Sequence, residues 1–404
     1  MPDYCLQDTY VPDYDVNPYF QIASHYGFAN FMFQTNEGPS FPAHMFLFSG
    51  TSAPTVNQVG DVDASWFVSG NSDPHDAGCT ASIGEEAHDI KPSNGHESYA
   101  YDPPEITWGD AGYPCYNHST MAEVLNNAGK TWRYYGWEAP NGNDRSIWNA
   151  PNAMYNLCVP SGPGKNNCTG DPFTHGNVTT TPGQVLADID NCQLQQVSWV
   201  VPDGYWSDHP GSNSTLFGPF WVSSIVNKIG NSWAQSQGGS HCDYWGGHTT
   251  GSGNQPTLIL ITWDDWGGWY DHIAPYEVLT SGWGAQYVSS FRVPLLVVSA
   301  YTDEHTISGP NTNNPDCPNH TYCHDFGSLL KFTETNFSLS EVGDLDSLQY
   351  ADHFAPDNKN GNVPLSEFFN LTSPRSFYAI SLPPGSPDES YFTSNGGAAP
   401  DDEY

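Results

Sequence analysis

Asp264 and Asp265 stand side by side directly after an apolar run, in the segment Thr257-Leu-Ile-Leu-Ile-Thr-Trp-Asp-Asp-Trp-Gly-Gly-Trp-Tyr-Asp-His272. Adjacent carboxylates on a chain bent back by Gly267 and Gly268 suit a hard divalent cation, which takes oxygen ligands. The competing expectation is a strand that ends in a solvated acidic turn. Ser40 is the second chemical residue, in Gly38-Pro-Ser-Phe-Pro-Ala-His-Met-Phe-Leu-Phe-Ser-Gly50. Pro42 at a first helical position would start a helix over 44–48. Ser40 would then lie at that helix's N-terminus, where exposed N–H groups and the dipole favour an anion. Such a place suits an ionised serine or a bound phosphoryl group, although an ordinary capping serine has the same signature. No G-x-S-x-G elbow occurs, so a lipase-type triad has no support.

These residues need elements to position them. Residues 258–261 have the length and composition of a strand buried on both faces of a parallel sheet. Open parallel sheets bind ligands outside the carboxyl ends of their strands, which is where the aspartates fall. Further strands are expected over 197–202 and 293–300. Met121, Val124, Leu125 and Ala128 follow helical spacing, with Gly129 placed to end the helix. Val222, Ile225, Val226 and Ile229 repeat the pattern before Gly230, Val185, Ile189 and Cys192 mark a third helix, and 326–337 a fourth. Alternating strands and helices predict an α/β layered fold with a mainly parallel sheet. The stretches 69–105 and 139–182 are rich in Gly, Pro, Asn and Ser, as functional or disulfide-stapled loops are. His241 and His248 fall in a shorter insertion and read as loop surface. From about Pro383 the composition predicts a disordered acidic tail.

Ten Lys and Arg against 45 Asp and Glu give a formal charge of −35. This charge repels polyanions and excludes nucleic acid as a partner. It also leaves few cations to hold a phosphate, so a metal, histidines and a helix N-terminus would share that role. The apolar runs are too short to span a bilayer, which excludes stable membrane insertion. Nine cysteines include no C-x-x-C pair. Cys158 with Cys168, and Cys317 with Cys323, bracket short loops suited to local disulfides in an oxidising compartment. The composition reads as secreted or periplasmic, yet the first residues carry no signal peptide.

Several segments resemble one known family. Gly38-Pro-Ser-Phe-Pro-Ala-His44 and Phe48-Ser-Gly-Thr51 are similar to the nucleophile segment of the bacterial phosphoesterase family, which includes phospholipases C and a secreted acid phosphatase within the alkaline phosphatase superfamily. The 262–272 segment resembles its second signature. Ser207-Asp-His-Pro210, Phe291-Arg-Val-Pro-Leu-Leu-Val-Val298 and His324-Asp-Phe-Gly-Ser-Leu-Leu-Lys331 resemble three more, in the family's order. The resemblance implies an alkaline-phosphatase-like three-layer α/β/α sandwich with long loop insertions. Its phosphoesterase domain would cover 1–340, with a C-terminal extension over 341–404.

By position, Ser40 matches the family's nucleophile, Asp264 and Asp265 its paired metal ligands, and His209 a histidine near the phosphoryl group. Ser40 is also expected to touch the divalent metal ion, whose identity the sequence leaves open. His44, Asp208, Asp271, His272 and His324 are expected around the site, in supporting or purely structural roles. The family opens with an apolar strand ending in Glu-Asn that nothing before Tyr19 resembles. The expectation is therefore that an opening segment, with further metal ligands, precedes this sequence, and that Cys5 has its partner there.

The implied reaction is metal-dependent hydrolysis of a phosphate ester through a phosphoserine, by a protein expected to be a monomer. The substrate would be a soluble phosphomonoester or a phospholipid head group. Trp66, Trp137, Trp148 and Trp206 are candidates to stack on choline, or are core. The competing expectation is a catalytically inactive secreted binding protein on the same fold.

Overall fold

The computed structural model describes residues 13–36, 39–52, 67–68, 77–81, 89–90, 115–137, 146–161, 167–209, 217–235, 242–246, 256–275, 277–278, 287–308, 324–345, 350–355 and 363–394. Cys5, Trp66, His241, His248, Cys317 and Cys323, all named above, lie outside these residues.

Two sheets carry the fold. The first has four strands in the order β7 (Thr306–Ser308), β1 (Gly27–Ala29), β6 (Leu295–Val298) and β5 (Ile259–Thr262). The second has three parallel strands in the order β3 (Val178–Thr179), β2 (Trp132–Tyr135) and β4 (Val197–Val200). Both are flanked by helices: α1 (Asp13–His25), α2 (Ser40–Ser49), α3 (Met121–Asn127), α4 (Gln184–Asp190), α5 (Gly218–Gly230), α6 (Phe326–Phe337) and α7 (Glu389–Ser394). The α/β class read from the sequence is the class of the molecule, and the 326–337 helix has the expected bounds.

Successive strand residues point to opposite faces, and the cores follow this rule. Along β6, Leu295 and Val297 join the core under α2 and α6, whereas Leu296 and Val298 join the core under α1 and α5. Along β2, Trp132 and Tyr134 pack toward α2 and α3, and Tyr135 toward α4 and α5. Helix α2 therefore serves both sheets on one side: Ala43 and Phe46 meet the first, Phe41, Met45 and Phe48 the second. A helix apolar all round must be buried all round, and every residue of α2 except Leu47 is buried. Burying each large side chain contributes about 1.5–3 kcal/mol. Helix α5 bridges in the same way on the opposite side, through Val226 to one core and Trp221 and Ile229 to another.

Strand β5 departs from expectation. It pairs antiparallel with β6, Leu295 opposite Thr262, and it ends its sheet half-buried. An apolar run does not encode strand direction, and an end strand covered by helices carries the same residues as an inner one. Strand β4 likewise ends its sheet. Among the described residues no strand pairs with the facing edges of β4 and β5, and between them lies a cleft of about 2270 Å3, walled by Leu47 of α2 and by Val222 and Ile225 of α5.

Helix α2 begins at Ser40 itself, with Pro39 as its cap, so Pro42 occupies the third helical position rather than the first. Gly50 ends it with φ +79°, its N–H donating to Phe46 O. The expected Cys158–Cys168 disulfide is present, joined by Cys79–Cys115 and Cys192–Cys242. The residues expected to begin a disordered tail are instead packed as far as 394. Phe392 is buried between Trp206 and Trp221, with ring centroids 5.0 and 5.3 Å away. One aromatic anchor outweighs the acidic, Pro- and Gly-rich composition around it.

Candidate active site

The chain turns sharply after β5 because Gly267 and Gly268 adopt φ +69° and +74°, conformations that cost other residues strain. The turn folds the aspartates back toward the start of α2. Asp265 accepts the Gly267 N–H on Oδ1 at 2.5 Å and the Ser40 hydroxyl on Oδ2 at 3.3 Å. Asp264 Oδ2 faces His44 Nε2, one helical turn after Ser40, at 3.4 Å. That separation is an ion-pair contact without good hydrogen-bond geometry, and the oxygen is sequestered from solvent. Burial alone would raise the Asp264 carboxyl. The His44 contact and charge, with a contribution from Ser40, outweigh it and hold Asp264 at about 2. Ser40, His44, Asp264 and Asp265 thus lie together, with Ser40 only 1% exposed.

His209 follows β4 and lines the same cleft as His44, Asp264 and Asp265. The Trp148 ring lies between the two histidines, centroids 6.4 Å from His44 and 6.1 Å from His209. Asp208 adopts φ +64° and accepts the Tyr19 hydroxyl at 2.7 Å and the Gly218 N–H. Burial raises its carboxyl to about 6 against the lowering effect of those two bonds.

Three of the residues expected around the site have partners of their own or are exposed. Asp271 is engaged bidentately by Arg292, Nε to Oδ2 at 2.6 Å and Nη2 to Oδ1 at 2.8 Å. Burial opposes its ionisation, but the Arg292 bonds hold its carboxyl below the usual range. His272 is exposed beside it. His324 is fully buried, with Nε2 at 2.8 Å from Glu367 Oε1 and 3.0 Å from Ser308 Oγ. Of the tryptophans, Trp148 is at the site, Trp206 belongs to the core around α5, and Trp137 is buried. Sequence reasoning missed Tyr134, whose hydroxyl is pushed up by burial and, to a lesser degree, by the nearby Asp264 charge. The alternating aromatic run of β2 was the available signal. It also missed Tyr19, for which no local signal exists.

A metal would find oxygen ligands here: two carboxylates, one with a sequestered oxygen, and a serine hydroxyl, the donor chemistry that a hard cation takes. Among the described residues no group of three or more His, Cys, Asp or Glu side chains stands at metal-binding spacing. The donor types fit; as a carboxylate and imidazole shell the set is partial.

A family model described as "Phosphoesterase family" matches residues 9–237 and 249–340. The chain is 23% identical over 266 residues to a non-hemolytic phospholipase C of Pseudomonas aeruginosa, covering 66% of this chain and 29% of that protein. It is 26% identical over 257 residues to a non-hemolytic phospholipase C of Burkholderia pseudomallei, covering 55% and 32%. It is 24% identical over 204 residues to phospholipase C A of Mycobacterium tuberculosis, covering 45% and 34%. The chain therefore spans about a third of the length of these relatives.

Proposed function

Because the chain belongs to the Phosphoesterase family, we propose that it hydrolyses phosphate esters, with Ser40 as nucleophile and His209 as proton donor. The observation that carries this reading is the convergence of Ser40, at the first position of α2, with Asp264, Asp265 and His44. A divalent cation held by Asp264, Asp265 and the Ser40 hydroxyl would lower the pKa of that hydroxyl and neutralise phosphoryl charge. The bond to Asp265 orients Ser40 Oγ, and the helix N-terminus favours its anion. Oγ attacks phosphorus in line after releasing its proton to water; the O–P bond to Ser40 forms and the bond to the leaving alcohol breaks. His209 donates a proton to the departing oxygen. Water then attacks the phosphoserine, the bond to Ser40 breaks, and the hydroxyl is restored.

The substrate class is a phosphate ester, either a soluble monoester or a phospholipid head group. Trp148, beside both histidines, is suited to stack on a quaternary ammonium. Three disulfides support folding in an oxidising compartment, and the proposal includes secretion. Among the described residues no helix is long and apolar enough to cross a membrane.

Assays with p-nitrophenyl phosphate and p-nitrophenylphosphorylcholine test the reading. Turnover of at least one is expected, and Ser40→Ala should lower kcat by about a thousandfold or more. A Ser40→Ala variant retaining more than about a tenth of wild-type turnover would remove Ser40 from the mechanism.

A further inference from the structure

The two halves of the site belong to different sheets. Asp208 and His209 follow β4, Asp264 and Asp265 follow β5, and among the described residues no strand pairing ties β4 to β5. Among these residues their relative position rests on the helices that pack against both sheets, α2 and α5, and on contacts between the two loops. We propose that Tyr19 of α1 is a positioning residue that clamps the His209 loop to the Asp264–Asp265 loop.

Tyr19 is bonded at both ends. Its hydroxyl donates to Asp208 Oδ2 at 2.7 Å, next to His209. Its ring meets Trp263, next to Asp264, edge-on, with centroids 5.0 Å apart at 78°. The Asp208 end is closely packed. A non-glycine residue at φ +64° persists only where its surroundings hold it there. The Asp208 carboxylate is held by Tyr19 and by the first N–H of α5, and it lies against bare Gly218, where an added Cβ would stand 2.1 Å from Oδ1. The direction in which the backbone leaves Asp208 sets where the next residue begins. The Ser207 hydroxyl, accepting the His209 N–H at 3.1 Å, fixes the other side of that turn. Without the Tyr19 hydroxyl the Asp208 carboxylate loses one of its two donors and the turn its link to Trp263. The Tyr19 ring alone cannot supply that link.

The kinetic part of the test rests on the phosphoesterase reading; the spectroscopic part does not. Tyr19→Phe keeps the ring on Trp263 and deletes only the hydroxyl. The expected result is a kcat about tenfold lower, as a misplaced group gives. KM should stay within about twofold, because ground-state binding is untouched. The 1H–13C ring signal of His209 should be displaced from its wild-type position. In an active protein, wild-type kcat in Tyr19→Phe overturns the proposal. If the wild-type protein turns over neither p-nitrophenyl substrate, the phosphoesterase reading fails, and the His209 signal alone decides: displaced, the clamp stands; unmoved, it falls. Should Tyr19→Phe not fold, Asp208→Gly asks the same question, since it deletes the acceptor and glycine tolerates the left-handed backbone.

Discussion

At Asp264, burial and the His44 contact act in opposite directions on one carboxylate, and His44 prevails. The residue is thereby kept anionic where a cation would need it. EDTA is expected to abolish hydrolysis. Asp264→Asn should raise the metal concentration for half-maximal rate by about tenfold or more, since a neutral amide is a poorer ligand for a hard cation. Chelator-resistant turnover, with Asp264→Asn titrating like wild type, would sink the metal assignment. Asp271 shows why a carboxylate in the same signature need not act alongside the pair, because its two oxygens are already engaged by Arg292.

Helix α5 begins with a residue that can only be small. Gly218 packs its backbone against the Asp208 carboxylate so closely that a methyl group would overlap it. Gly218→Ala should destabilise the protein by about 1–3 kcal/mol, the usual cost of forced overpacking. It should also lower turnover, because Asp208 is the group that must move. Thermal melts and kcat on the same preparation check this; an alanine variant with unchanged stability would mean that the loop relaxes freely. Helix α2 shows the opposite arrangement, since its apolar residues on all sides let one element serve both sheets while its first residue faces the aspartates.

At the scale of the whole molecule, buried carboxylates of neighbouring elements bear on how stability depends on pH. Glu334 of α6 and Asp352 are both buried and face each other. Desolvation, then the charge of Asp352, raises Glu334 far above its ordinary 4.5. The folded pair keeps a proton that the unfolded chain releases above pH 4.5, so its contribution to stability is full in acid and is lost as pH rises toward mildly alkaline values. One proton sets a ceiling of about 1.4 kcal/mol per pH unit. Glu334→Gln keeps an acceptor for the Val342 N–H, 2.9 Å away in the wild type, and needs no proton. Melting temperatures measured from pH 5 to 8 should fall less steeply with pH in Glu334→Gln than in wild type. Parallel slopes would show that the pair is ionised in the same way in both states.

Local chemistry and periodicity were legible in the chain itself. The helices marked by 121–128, 222–229 and 326–337, the strands around 259–262 and 295–298, the glycine turn after Asp265 and the Cys158–Cys168 loop depend on neighbours within a few residues, which the sequence displays directly. Ser40 and the aspartates stand out in the sequence through chemistry that follows from residue type. The tertiary structure decided what depends on distant partners: that β5 runs antiparallel to β6, that Asp271 belongs to Arg292 and His324 to Glu367, and that Phe392 anchors an acidic end. An apolar strand carries no record of its neighbour's direction, and a carboxylate carries none of which cation reaches it first. Tyr19 and Asp208 lie 189 residues apart, and only the packing of α1 against the first sheet and α5 brings the hydroxyl to the carboxylate.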